Sequence, residues 1–286
     1  MRRGLTLSLA AMLATGFASA VTAADTPPEW SRPTAPFRIV GPIYYVGTEG
    51  IAAYLIDTGD GLILLDGGLE ANAPLIERSI AALGFRLDDV KLMIATHAHY
   101  DHAAALAQLK RDTGAAFASS DEDRAAYESG TPPSDVNYGV IRFPPIEVDQ
   151  RVVDDSQIGL GAYEMNSLVT PGHTPGCTTW TMRVTEAERP LDVVFPCSLT
   201  VAGNRLVGNK GYPGIVADFR KTFARMHELR ADVVLPAHPE IADVLGRARR
   251  RDAGEAEAFV APDLLPRLVD QAEAAFTAAL AKETHP

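Results

Sequence analysis

The sequence predicts an α+β protein in which two β-sheets are sandwiched between layers of helix. Short runs rich in Ile, Val, Leu and Tyr gather in two stretches, residues 37–66 and 151–196, and segments of helical period follow each. No Gly/Ser-rich linker and no internal repeat divides the chain. At 286 residues and 47% hydrophobic it is large enough to bury one sizeable core.

Residues 1–24 differ from the rest. Arg2 and Arg3 precede an apolar stretch, Leu5 to Phe17, and then the small-residue sites Ala18-Ser19-Ala20 and Val21-Thr22-Ala23. This is the pattern of an export signal, too short to span a bilayer comfortably, and Pro27, Pro28, Pro33 and Pro36 follow at once. The expectation is a signal peptide over 1–24 and a single domain over 25–286, exported and periplasmic in a Gram-negative host. Removing the signal, which carries two arginines and no acid, takes the formal net charge from −11 to −13. That balance disfavours nucleic acid or an anionic membrane as partner; a monomer is expected.

From Phe37 the chain reads as strands: Phe37 to Val40, Ile43 to Val46, Ala52 to Asp57 and Leu62 to Asp66, parted by Gly-containing turns. A helix is expected from Ala73 to Leu83, with Asn72 as cap and Gly84 as stop, then a buried strand from Val90 to Ala95. Beyond it a helix runs from Ala103 to about Thr113, a strand from Ala115 to Ala118, and a helix from a Ser120 cap to Glu128. Gly130 to Ile146 holds four prolines and no periodicity, and is read as a long surface loop, either a lip of a functional site or a plain connection. The second β group comprises Arg151 to Val153, Gly161 to Leu168, Thr178 to Val184 and Asp192 to Pro196. A helix from Asp218 to Leu229, a strand from Asp232 to Leu235 and a terminal helix from Asp263 to Ala281 complete the chain. In the last, Leu265, Leu268, Ala272, Ala275, Phe276, Ala279 and Leu280 keep the helical period and are expected in the core.

Chemistry concentrates at Thr96-His97-Ala98-His99-Tyr100-Asp101-His102, between a strand and a helix. Three histidines and a carboxylate at that junction serve metal binding better than packing. Alternate residues His97 and His99 can converge on one ion, and Asp101 and His102 on a neighbouring one. His173, in Pro171-Gly172-His173-Thr174-Pro175-Gly176, and His238, after the strand Val233-Val234-Leu235, would supply a third ligand to each.

Thr-His-x-His-x-Asp-His, then Pro-Gly-His-Thr-Pro-Gly, then a late histidine after a strand resembles the metallo-β-lactamase superfamily. The likeness runs from Phe37 to the C terminus. It is greatest to the third subclass of class B β-lactamases, since His102 stands among the ligands and Ser198 occupies the later position. Glyoxalase II and related hydrolases place a bridging aspartate there. The resemblance implies an αββα sandwich with two Zn²⁺, the first on His97, His99 and His173, the second on Asp101, His102 and His238. It implies hydrolysis of the amide bond of β-lactams (penicillins, cephalosporins, carbapenems) by a metal-bound hydroxide that Asp101 helps to orient. A hydrolase acting on a lactone or thioester is the alternative. Ser198 and Thr200 match positions that bind the substrate carboxylate, Asn204 one that can assist the carbonyl, and Asp66 a carboxylate behind the ligands. Cys177 and Cys197, the only cysteines, each lie beside an active-site element. In an exported chain they are expected to form a disulfide, with two buried thiols as the alternative.

Overall fold

The computed structural model describes residues 26–132, 136 and 139–285. The segment read as an export signal lies outside the described residues. β1 (Phe37–Arg38), β2 (Ile43–Tyr45), β3 (Tyr54–Asp57) and β4 (Leu62–Leu65) form an antiparallel meander. β5 (Val90–Ile94), β6 (Ala116–Ser120) and β7 (Gln150–Val152) then add in parallel, giving a seven-stranded sheet in sequence order. All four residues of β4 are buried, as a central strand covered on both faces requires.

The second sheet has five strands in the order β12-β11-β10-β9-β8. These are β8 (Gln157–Leu160), β9 (Tyr163–Val169), β10 (Thr178–Glu186), β11 (Arg189–Phe195) and β12 (Val233–Val234). All pairs are antiparallel except β11 with β12. The helices are α1 (Ala73–Ala82), α2 (Tyr100–Ala103), α3 (Leu106–Thr113), α4 (Asp121–Ser129), α5 (Ile215–Glu228), α6 (Val244–Asp252) and α7 (Leu264–Thr284). One apolar cluster joins Leu55, Leu64 and Met93 to α1, α3 and α4. The other fills the space between the sheets, with Tyr54, Ile94 and Trp180, and continues through Phe195 to Phe219, Phe223 and Phe276 on α5 and α7. The αββα order follows from these two layers of contact, since each sheet buries one face on the other and one on helices.

Several expectations are corrected. Arg151 and Val152 belong to β7 of the first sheet, parallel to β6, rather than to the second β group. The helix expected from Ala103 is broken into α2 and α3. Asn72 and Ser120 sit at helix N-cap positions without capping through their side chains. The Asn72 amide instead donates to the Trp30 carbonyl, and the Ser120 hydroxyl to that of Gly176. Ala275 faces solvent, whereas Leu265 and Phe276 are buried as expected. In the proline-rich loop Phe143 and Ile146 are buried beside the first helix layer. No helix among the described residues is long and apolar enough to cross a membrane.

Candidate metal centre

Every ligand-type side chain stands just beyond the C-terminal end of a strand. His97 to His102 follow β5, His173 follows β9 and His238 follows β12, so the two sheets deliver their loops to one end of the sandwich. Contacts across the seam hold those loops. Trp180 Nε1 donates to the Ala95 carbonyl at 3.0 Å, and Thr178 N to that of Thr96 at 2.8 Å. The His238 loop is tied to the first sheet by Tyr54, whose hydroxyl donates to the Pro236 carbonyl at 2.7 Å, and by Ala52 N on the Ala237 carbonyl at 2.8 Å.

Asp66 ends β4 in the left-handed region, φ 63°, which a short polar side chain tolerates better than most. Its buried carboxylate accepts from Thr96 N at 2.7 Å and Thr96 Oγ1 at 2.9 Å. With its proton committed to Asp66, the Thr96 hydroxyl can only accept from His97 Nδ1, 3.0 Å away. His173 Nδ1 must likewise donate to the Thr200 carbonyl at 2.8 Å. Both rings therefore present a bare Nε2, and these atoms face one another at 3.1 Å. His99 Nδ1 lies 3.0 Å from the same His173 Nε2.

Two lone pairs at that distance repel unless a cation lies between them. Tetrahedral zinc with Zn–N bonds of about 2.0–2.1 Å sets its nitrogens roughly 3.3 Å apart, so the set fits such an ion. Burial keeps the rings neutral: His97 and His173 are held well below the usual imidazole range and His99 is lowered to about 4.

A second group adjoins the first, the His97 and His102 ring centres being 4.5 Å apart. Asp101 Oδ2 lies 3.2 Å from His102 Nε2 and 3.4 Å from His238 Nε2. Burial alone would raise Asp101, but His102 beside it holds the carboxyl well below its ordinary value. Burial would lower His102, but Asp101 and, further off, Asp66 bring its net shift upward. His97, His99 and His173, and separately Asp101, His102 and His238, bring donor atoms within 4.8 Å of one another. Both sets are of the type zinc takes. His97 also lies near Cys177 and Cys197, but those sulfurs form a disulfide with Cα atoms 5.8 Å apart and offer no thiolate.

Asp123 clamps the ligand loops from behind. Its buried carboxylate accepts from Ala98 N at 3.1 Å, Thr174 Oγ1 at 2.7 Å and Gly176 N at 2.8 Å. Any side chain at Gly176 would collide with Ser120 and Asp123, so the Pro-Gly ending of the His173 motif is a demand for close approach. In the sequence Asp123 is one of three acids in the first turn of α4, which hides its role.

The centre opens into a cleft of about 490 Å³ that includes Trp30, Tyr100, Ile141, Ser198, Thr200 and His238 in its walls. Among the described residues of the proline-rich loop, Ile141 reaches this rim. Ser198 and Thr200 face the cleft with their hydroxyls 3.0 Å apart. Asn204 does not: it is buried, its amide donating to the carbonyls of His173 and Val201, so it positions a loop instead of reaching a substrate. Trp30, which no sequence signal marked, lies against His238 with ring centres 5.4 Å apart. A larger cavity of about 720 Å³ adjoins across Tyr100 and Ile141 but is lined by none of the six ligand-type residues. Donor chemistry, not volume, singles out the smaller cleft.

Two sheets between helix layers, with paired His-rich donor sets at their common end, define a metallo-hydrolase centre. The chain belongs to the metallo-beta-lactamase superfamily, whose profile matches residues 46–238. Its fold is similar to that of BJP-1, a subclass B3 metallo-beta-lactamase of Bradyrhizobium japonicum, with a TM-score of 0.86 and 39% identity over 90% of this chain and 97% of that one. It is also similar to native FEZ-1 metallo-beta-lactamase of Legionella gormanii, with a TM-score of 0.85 and 34% identity over 89% and 98%. A curated relative, a probable metallo-hydrolase of Burkholderia pseudomallei (strain 1710b), is 30% identical over 159 residues, a match that spans half the length of each protein.

Proposed function

We propose that the protein is a zinc-dependent β-lactamase that opens the cyclic amide of penicillins, cephalosporins and carbapenems. His97, His99 and His173 would hold one Zn²⁺, and Asp101, His102 and His238 a second. The observation that carries this reading is the pair of bare imidazole nitrogens of His97 and His173 facing each other at 3.1 Å beside a carboxylate-containing second set. When bound, zinc supplies Lewis-acid polarisation of a carbonyl and a hydroxide nucleophile near neutral pH.

The chain's own residues do the rest. Asp101, held ionised, accepts a hydrogen bond from the attacking water and orients it. Ser198 and Thr200 donate their hydroxyls to the substrate carboxylate, while Trp30 and Tyr100 wall the cleft. Ser198 is no nucleophile in this reading: its hydroxyl pairs with that of Thr200 and accepts from Thr200 N, and among the described residues it makes no hydrogen bond to a histidine nitrogen. Inhibitors that acylate serine are therefore expected to have no effect.

The disulfide and the residues 1–24 pattern support export to the periplasm. Intact-mass analysis of secreted protein should find an N terminus between Val21 and Asp25. The activity test is turnover of a carbapenem and a cephalosporin, abolished by a chelator and restored by Zn²⁺. A preparation holding two zinc ions per chain that opens neither would overturn the lactam reading and leave a lactone or thioester hydrolase.

A further inference from the structure

Beside the cleft lies a separate cavity of about 270 Å³ that the proposed reaction does not use. It is bounded by the segment after β11, the segment after β12 and the first turns of α7. Its walls include Leu199, Ile241, Leu265, Leu268 and Ala272, and among the described residues no carboxylate, lysine or arginine lines it. Ser198, Thr200, His238 and Ile241 line both this cavity and the cleft, so the two spaces adjoin across a common wall at the end where a substrate carboxylate would be held. Ile241 stands at that shared boundary and is 42% exposed, one of few large apolar side chains left in water.

We infer that this cavity is a specificity pocket for an apolar aromatic or branched alkyl substituent that the substrate carries next to its carboxylate. The inference rests on the lactamase reading and deepens it. Three features choose this occupant. With its carboxylate on Ser198 and Thr200, a ligand presents the neighbouring ring position to the shared wall. The volume is ample, since a cavity of about 150 Å³ already admits benzene. The lining offers apolar contact and no counter-charge, so a charged substituent would be desolvated without compensation, whereas an apolar one would cover Ile241 and Leu268.

The test uses two cephalosporins with the same acyl side chain, one bearing methyl and the other phenylthiomethyl beside the carboxylate. Each is assayed with zinc-loaded wild type and with two filling variants, Ala272→Phe and Leu268→Phe. Neither residue lines the cleft or belongs to the proposed metal-holding and carboxylate-binding set, both lining only the cavity under test, and a variant counts when its melting temperature matches wild type, so one sound variant suffices. We expect KM for the phenylthiomethyl substrate to rise roughly tenfold in the variants, the equivalent of losing one well-buried ring contact. KM for the methyl substrate and both kcat values should stay within about twofold. Equal KM changes for the two substrates, or no change for either, would overturn the pocket while leaving the lactamase reading intact. If wild type turns over neither compound, both fall together.

Discussion

Asp123 never meets the cleft, yet it takes three hydrogen bonds from the loops that carry His97, His99 and His173. Asp123→Asn would turn an amide NH₂ toward a donor that now faces an oxygen. Leaving buried donors unpaired costs about 1–3 kcal/mol each, so a loss of roughly 3 kcal/mol in urea unfolding is expected. Burial pushes the Asp123 carboxyl up to about 6 despite its donors. The folded state therefore binds this proton more tightly than the unfolded chain, and the associated stability is present at acid pH and lost as pH rises through about 6. The gap between wild type and Asp123→Asn should be wider at pH 5 than at pH 7.5. An unchanged or narrower gap would contradict that sign. His238→Ala, by contrast, removes a donor at the surface of the second set. Zinc per chain, measured by elemental analysis, should fall from two to one, with a loss of activity on the order of 100-fold.

How far residues could be read from the chain divides along a physical line. Four of the six ligand-type residues fall within six consecutive positions, the other two, His173 and His238, adjoin a glycine or a proline, and all follow a strand, so local pattern exposed them. Asn204 deceived because the direction of a side chain on an irregular loop is set by the carbonyls it finds, here those of His173 and Val201. Trp30 carries no local pattern, and only folding brings it to a ring more than two hundred residues away in the chain.

At the scale of elements, central strands were legible and edges were not. β4 and β5 are near-continuous apolar runs, whereas β8 alternates exposed and half-buried residues at the sheet margin and passes for loop. α6 escaped because its Arg-rich sequence buries only Val244, Gly246 and Ala248. The disulfide joins the start of β10 to the end of β11, closing a loop with a sequence separation of 20. In the chain-entropy model such a link contributes about 3 kcal/mol, less where the reduced chain keeps structure. Replacing both cysteines by serine should lower the urea midpoint accordingly. Denatured, unreduced wild type should show no reactive thiol; two would refute the bridge.

For the whole molecule, the apolar cluster between the sheets draws on both of them and runs on to α5 and α7, so neither sheet buries both of its faces without the other half. Unfolding is expected as one cooperative transition by fluorescence and circular dichroism, with a chelator lowering its midpoint because ions bound only by the folded state stabilise it. Two separated transitions would mean the sheets fold independently.

The contact of Trp30 with His238 has a practical corollary for anyone producing the protein. Whatever is fused just ahead of Pro28 hangs beside the entrance to the cleft, and a polyhistidine stretch placed there would compete for the very ions under study. A purification handle belongs at the other terminus, or must be clipped off before any titration with metal.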